Sequence, residues 1–360
     1  MKKILIKYYC NLNLGDDLFI KILTERYSHI HFIIKNEGEM KVSFGKNLEK
    51  VSYNKFLIKL RNLLRKLNLF DDIIEYILSK KVNGIVQIGG SIFIEDKWHY
   101  RALKDYHKYS RKIKKYWYIL GCNFGPYKEK KFKEMYYQHF SECCDICFRE
   151  KYSYNLFKDL PNTRYAKDIV FGLNIEQYNK KEYILISVIK PSIRKELIEK
   201  DEEYYRKISE LSIDFIEKNK KVKLISFCKN EGDEEAIEKI LSFIPKEYSE
   251  NISSYSYRGN IDEILEIIGK SEIVIATRFH AMILGFIFRK KVYPIAYSDK
   301  TINVLKDLEF KGNFCSFDNL KDISYEKILE NEVLDEEIIE EAKRDAERHF
   351  EKLDLFLNKK

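Results

Sequence analysis

Short apolar runs bounded by charge or glycine alternate with longer stretches of helical periodicity along almost the whole chain. The runs read as buried strands at 4–8, 30–34, 84–88, 116–120, 145–148, 183–189, 222–228, 252–257, 273–276 and 292–296. Between them, stripes at helical spacing predict helices near 18–27, 98–113, 129–140, 201–218, 233–244 and 260–269. Strand and helix in strict alternation is the mark of parallel, doubly wound sheets. The pattern lapses into polar residues around 172–182, where we place a domain boundary. The expected architecture is α/β, with two Rossmann-like domains facing a cleft. The first spans 1–175 and the second 176–334. Residues 335–360, rich in charge pairs at i,i+4, read as one long helix that packs back on the first domain. Residues 36–53 show no period and read as a loop.

One segment has an amphipathic pattern of another kind. Residues 54–70 place Phe56, Leu60, Leu63, Leu64 and Leu67 at helical spacing, with Lys55, Lys59, Arg61, Arg65 and Lys66 among them. A basic amphipathic helix can lie on an anionic membrane surface. The same pattern also suits an ordinary outer helix of an α/β layer, which is the commoner use.

Composition narrows the picture only a little. The chain has 360 residues, 45% hydrophobic and 34% charged, which fits two folded domains and excludes wholesale disorder. A net charge of +8 is spread along the length, so it is not a nucleic-acid footprint. Seven cysteines form no regular framework, and Cys143, Cys144 and Cys147 read as buried thiols, not as a metal site. The start, MKKILIKYYC, resembles a signal peptide until Lys7 interrupts it, and no apolar run reaches membrane-spanning length. A cytoplasmic protein is expected, without a metal.

The densest chemistry lies in 272–305. The run 273–276 leads to Thr277, an expected N-cap, and to a helix carrying Arg278 and His280 in its first turn. The next strand ends in Tyr297-Ser298-Asp299-Lys300. Ligands bind at the carboxyl ends of strands in open α/β sheets, and a helix start favours an anion. Arg278, His280 and Lys300 thus read either as three donors to one anionic ligand, or as a carbonyl-capping arginine beside a core histidine. Three other strand ends carry candidates. Asn13-Leu14-Gly15-Asp16-Asp17 follows the first strand, where an aspartate can cap the helix and a second can accept from sugar hydroxyls. Gly89-Gly90-Ser91 follows the 84–88 strand and lets a ligand approach backbone donors. Arg149-Glu150-x-x-Ser153 follows the 145–148 strand, and Asp168 follows a further short stretch.

Together these motifs resemble the polysaccharide pyruvyl transferase family. Its Arg-x-His-Ala helix start is matched by Arg278 to Ala281, its Tyr-x-x-Lys turn by Tyr297 to Lys300, and its Asn-x-Gly-Asp-acidic turn by Asn13 to Asp17. The Arg-acidic-x-x-Ser pattern is met with Glu150 where the family more often has aspartate, and Ser91 stands where it usually has a third glycine. The resemblance implies a glycosyltransferase-B-like fold and transfer of pyruvate from phosphoenolpyruvate to a sugar as a ketal, in surface polysaccharide biosynthesis. No cofactor beyond that donor is implied. The acceptor would be a sugar or a lipid-linked oligosaccharide. His280 and Arg278 would be catalytic, His280 moving the proton and Arg278 holding the anion. Arg149, Lys300, Asn13, Asp16, Gly89, Gly90 and Ser91 would bind substrate, the acceptor chiefly at the first domain. A nucleotide-sugar glycosyltransferase and a non-catalytic carbohydrate-binding protein are the competing readings.

Overall fold

The computed structural model describes residues 2–35, 44–106, 108–109, 111–114, 116–178 and 181–358. Residues 36–43 of the expected loop lie outside them. The first sheet contains β1 (Lys3–Lys7), β2 (His31–Lys35), β3 (Leu48–Val51), β4 (Gly84–Ile88), β5 (Trp117–Cys122), β6 (Asp145–Phe148) and β7 (Thr163–Tyr165). The second contains β8 (Tyr183–Ser187), β9 (Val222–Ser226), β10 (Ile252–Ser256), β11 (Ser271–Ala276), β12 (Lys291–Ala296) and β13 (Cys315–Ser316). Their orders are β3-β2-β1-β4-β5-β6-β7 and β10-β9-β8-β11-β12-β13, with every pair parallel. The central strands are buried on both faces, which is why they read as unbroken apolar runs. Strands β3, β7 and β13 escape the apolar pattern. All three are short edge strands: β3 and β7 are only partly buried and carry Glu49, Lys50 and Arg164, and β13 has just two residues, Cys315 buried and Ser316 half-buried.

Each sheet starts in its middle and reverses direction, between β1 and β4 and between β8 and β11. Loops leaving the strands diverge at such a point and open a crevice. The two crevices meet. Asn13, after β1, forms an isolated antiparallel bridge with Cys228, after β9, and the Leu14 N–H donates to the Phe227 carbonyl at 3.1 Å. One apolar cluster runs through both domains, from Ile4 and Phe19 to Met282 and Phe350.

The C-terminal segment packs on the first domain, but not as one helix. Helices Glu336–Glu347 and Glu351–Leu357 are separated by a tight turn, Arg348–Phe350. Arg164 donates to the carbonyls of Arg348 and His349, the latter at 2.6 Å, and the buried His349 contacts the Lys167 carbonyl at 2.9 Å. Those tertiary bonds take carbonyls that a continuous helix would use itself. Beyond the turn, Phe356 stacks on Tyr116 and Tyr118, and Asp354 takes Arg26 and Tyr27 at 2.8 and 2.7 Å.

Two further expectations need correction. Cys143 and Cys147 are buried, but Cys144 is exposed. The amphipathic helix, Lys55–Lys66, buries none of its residues, so it is not an ordinary outer helix of the layer.

Candidate active site

The site is built from loops at the carboxyl ends of both sheets. After β1, Asn13 caps the helix Leu14–Arg26, its side chain accepting the Gly15 N–H at 3.0 Å. The cap is thus asparagine, which leaves both aspartates for other work. Asp17 turns across the domain boundary and accepts from the Tyr257 hydroxyl at 2.9 Å. Asp16 faces the site. Burial, with Asp17 and Glu231 close by, raises its carboxyl to about 8, although Arg149 and Lys300 pull the other way. At neutral pH it is a proton donor more than an acceptor for sugar hydroxyls.

His280 lies over Gly15. A methyl group there would stand 1.8 Å from the ring Nδ1, so only glycine permits the approach. The His280 ring makes edge contacts with Phe19 and Phe279 at 5.3 and 5.1 Å. Its Nε2 lies 3.5 Å from an Arg149 nitrogen and 3.8 Å from Asp168 Oδ2. Burial lowers its pKa; Asp168 opposes this, while Arg149 and Lys300 reinforce it. The imidazole is therefore neutral at pH 7, with a carboxylate beside it for the cation it would become.

Arg149 follows β6 and is 3% exposed. It donates to Asp168 at 2.9 Å and to Asn123 Oδ1 at 2.8 Å, and its guanidinium lies 4.3 Å from the Phe279 ring centroid. Gly90 leaves room for it, since a side chain there would come within 2.5 Å of the guanidinium. Asp168 also accepts the Val170 N–H, and with Arg149 and His280 beside it stays well below the usual carboxylate range despite burial. The Gly89 N–H is not free for a ligand: it donates to the Leu120 carbonyl at 3.3 Å. Glu150 and Ser153 bond each other at 2.6 Å, and Ser153 holds the Phe124 N–H at 2.7 Å, so that motif frames the loop.

From the second sheet, Lys300 lies in the first turn of the helix Asp299–Asp307 and donates to Ser91 Oγ at 3.2 Å. Ser91 reaches Asn123 Oδ1 at 3.2 Å, so the two domains are joined through the site itself. Burial lowers the Lys300 pKa. Burial pushes the Tyr297 hydroxyl up, yet Lys300, Arg194 and Arg278 together bring it down to about 8.

Arg278 departs from expectation. It is itself the N-cap of the helix Phe279–Ile287, and the Thr277 hydroxyl is taken by Tyr204 at 2.9 Å. Its guanidinium is engaged by two carboxylates. Nε donates to Asp233 Oδ2 at 3.0 Å, Nη1 to Glu231 at 2.5 Å, and Nη2 to Asp233 Oδ1. Asp233 also takes the Phe227 and Cys228 N–H groups, both at 2.9 Å. Glu231 and Asp233 carried no recognisable sequence motif, and they decide where this arginine points. Glu231 lies 3.4 Å from Asn13 Nδ2 as well.

Arg194 was not foreseen either. It sits in the loop after β8, its guanidinium 4.0 Å from the Tyr297 ring centroid and 4.0 Å from Glu231. Its Nη1 is buried without a hydrogen-bond partner. The available signal was its place beyond a switch-point strand. Arg149, Lys300 and Arg194, with Asp16 and His280, are thus gathered at the carboxyl edges of the two sheets, a set of groups that could hold a small polyanion and move protons to and from it.

A family model described as polysaccharide pyruvyl transferase matches residues 13–299. The match opens on Asn13 and ends one residue before Lys300. No curated protein matches the chain. Among solved structures, UDP-GlcNAc 2-epimerase from Methanocaldococcus jannaschii is similar at 11% identity and a TM-score of 0.56, covering 98% of this chain and 99% of its own. HepE of Anabaena, in complex with UDP and glucose, is similar at 10% identity and a TM-score of 0.53, covering 98% and 96%. At such identities the likeness is one of fold: two Rossmann-like domains in the glycosyltransferase-B arrangement.

Proposed function

The chain belongs to the polysaccharide pyruvyl transferase family, and on that premise we propose that it moves the enolpyruvyl carbon skeleton of phosphoenolpyruvate onto two hydroxyls of one sugar, as a ketal. The observation that supports this reading is the convergence of three cations, a neutral histidine and a protonated carboxyl at one crevice. Phosphoenolpyruvate carries a carboxylate and a phosphate close together, and Arg149, Lys300 and Arg194 supply the matching charge from both domains. Arg278 is committed to Glu231 and Asp233, so its role is to hold that loop in place.

The reaction needs a proton on the methylene carbon, two carbon–oxygen bonds to the sugar, and loss of phosphate. One hydroxyl proton replaces the one given to carbon, and the other leaves with phosphate, so the balance closes. Asp16, protonated near neutral pH, is placed in this reading as the acid for the methylene carbon. His280, neutral, takes the hydroxyl proton, and Asp168 stabilises the imidazolium that results. The acceptor is a sugar, free or lipid-linked, entering from the Gly89–Ser91 side.

The test is incubation with phosphoenolpyruvate and a panel of sugar glycosides. The expected product is heavier by pyruvic acid less water, with one phosphate released per ketal. Absence of any adduct, together with a melting point raised by UDP-sugars and not by phosphoenolpyruvate, would point to glycosyl transfer instead.

A further inference from the structure

The helix Lys55–Lys66 is capped at both ends and half-buries Leu57, Leu60 and Leu64 on its inner face. Asn54 caps it through the Leu57 N–H at 2.9 Å. At the other end Asn68 adopts a left-handed φ of 55°, and the Leu69 and Asn68 N–H groups return to the carbonyls of Leu64 and Arg65 at 2.9 and 3.1 Å. On a helical wheel Phe56, Leu63 and Leu67 fall within about 40° of one another. They are 70%, 52% and 56% exposed, so the apolar strip faces outward. Lys55, Lys59 and Lys66, all exposed, lie along one flank of the strip, about 60–100° away. Arg65 is turned inward, donating to the Asp71 carbonyl at 3.1 Å.

Three outward apolar side chains on a capped helix of this length have no folding role. Burying them is worth roughly 1.5–3 kcal/mol each, and the described residues bury none. A protein partner would need a complementary acidic groove for the lysines. A bilayer with anionic headgroups offers both halves at once, an apolar layer and a negative surface above it. Lysine side chains flanking the strip reach up to that surface while the strip is immersed. Among the described residues no helix is long and apolar enough to cross a membrane, so the contact is in-plane. The helix starts four residues beyond the end of β3, on the sheet edge that carries Gly89–Ser91 and Arg149.

We propose that the helix Lys55–Lys66 is an in-plane anchor. It seats the first domain on an anionic bilayer through Phe56, Leu63 and Leu67, with Lys55, Lys59 and Lys66 at the headgroups. This sets the edge of the crevice at the lipid surface. The proposal is independent of the donor chemistry, because vesicle binding is read without turnover.

The test is co-sedimentation of the full chain with vesicles of phosphatidylcholine alone and of phosphatidylcholine mixed with phosphatidylglycerol. Binding is expected to the mixed vesicles only, and to weaken as salt is raised. Two variants separate the contributions: Phe56→Ser with Leu63→Ser and Leu67→Ser, and Lys55→Gln with Lys59→Gln and Lys66→Gln. Each should reduce partitioning at least about tenfold, with the melting temperature held. The proposal fails if the parent stays in the supernatant with mixed vesicles. It fails too if the serine variant sediments as well as the parent, or if the strip proves to hold a dimer that the serine variant dissolves.

Discussion

Arg149 and Arg278 stand at comparable places, one in each domain. Each leaves the carboxyl end of a buried strand, each precedes a helix, and each is almost wholly buried. Their surroundings differ. Arg149 has one carboxylate, Asp168, which it shares with His280, and a neutral amide, Asn123. Arg278 has two carboxylates, Asp233 and Glu231, the latter also 4.0 Å from Arg194. The first environment balances the guanidinium with a single carboxylate, while the second surrounds it with two. An arginine in a motif therefore says that a guanidinium is needed there, but the counter-charges elsewhere in the chain decide whether it meets substrate or supports a loop.

The largest expected effect belongs to Arg278→Ala. Removing one partner from a buried ion pair strands the others, at a cost on the order of 3–5 kcal/mol. Urea titration should show that loss. A variant that kept its stability and lost only phosphoenolpyruvate affinity would reverse the contrast with Arg149. His280→Ala comes next. It should slow single-turnover ketal formation about a hundredfold or more while calorimetric donor binding stays within a few-fold. Normal turnover would make the histidine a packing residue against Gly15.

Arg194→Ala has a smaller consequence. Its ring and carboxylate contacts are both at 4.0 Å, so little stability should go with it. One charge-assisted bond to an anion is worth about 1.5–3 kcal/mol, so donor binding should weaken about tenfold or more. Unchanged affinity would restrict the donor clamp to Arg149 and Lys300.

Asp16→Asn gives the most pH-dependent change. An ordinary aspartate titrates at 3.8, and folded Asp16 at about 8. Between those values the unfolded chain has lost the proton and the folded chain retains it, so stability falls as pH rises through this window. The asparagine variant should gain melting temperature progressively from about pH 4 to about pH 8, with no further gain above. Its residual activity should also lack the alkaline limb near that pH, while the acid limb, set by the lowered pKa of His280, remains. An unchanged alkaline limb would move the acid role to Tyr297, which also titrates at about 8.

The central strands were legible because burial on both faces leaves an unbroken apolar signature, as in Ile273 to Ala276. The edge strands were not: β3 and β7 carry residues such as Glu49, Lys50 and Arg164 that an edge tolerates, and β13 is only two residues long. At the site, the motif residues Asn13, Asp16, Gly90, Ser91, Arg149, His280 and Lys300 were all named from sequence, and they converge. Their pairings were not readable. Nothing local announces that Asp233 will take Arg278, that Asp17 will reach Tyr257, or that Arg194 will lie on Tyr297. Only the Asp17–Tyr257 pairing depends on the two domains meeting; the other two form within the second domain, between loops 45 and 103 residues apart, and such separations carry no shared period.

The helices Glu336–Glu347 and Glu351–Leu357 return the chain to the first domain after the second has been traversed. The order of synthesis and the order of completion therefore differ. All strands of the second sheet have been made before the residues that cover Tyr116 and Tyr118 exist. During translation the first domain must wait, with an aromatic surface uncovered, while its neighbour can already close around its own sheet. The domain made first is the last to be finished, and the nascent chain is most prone to wrong association in that interval.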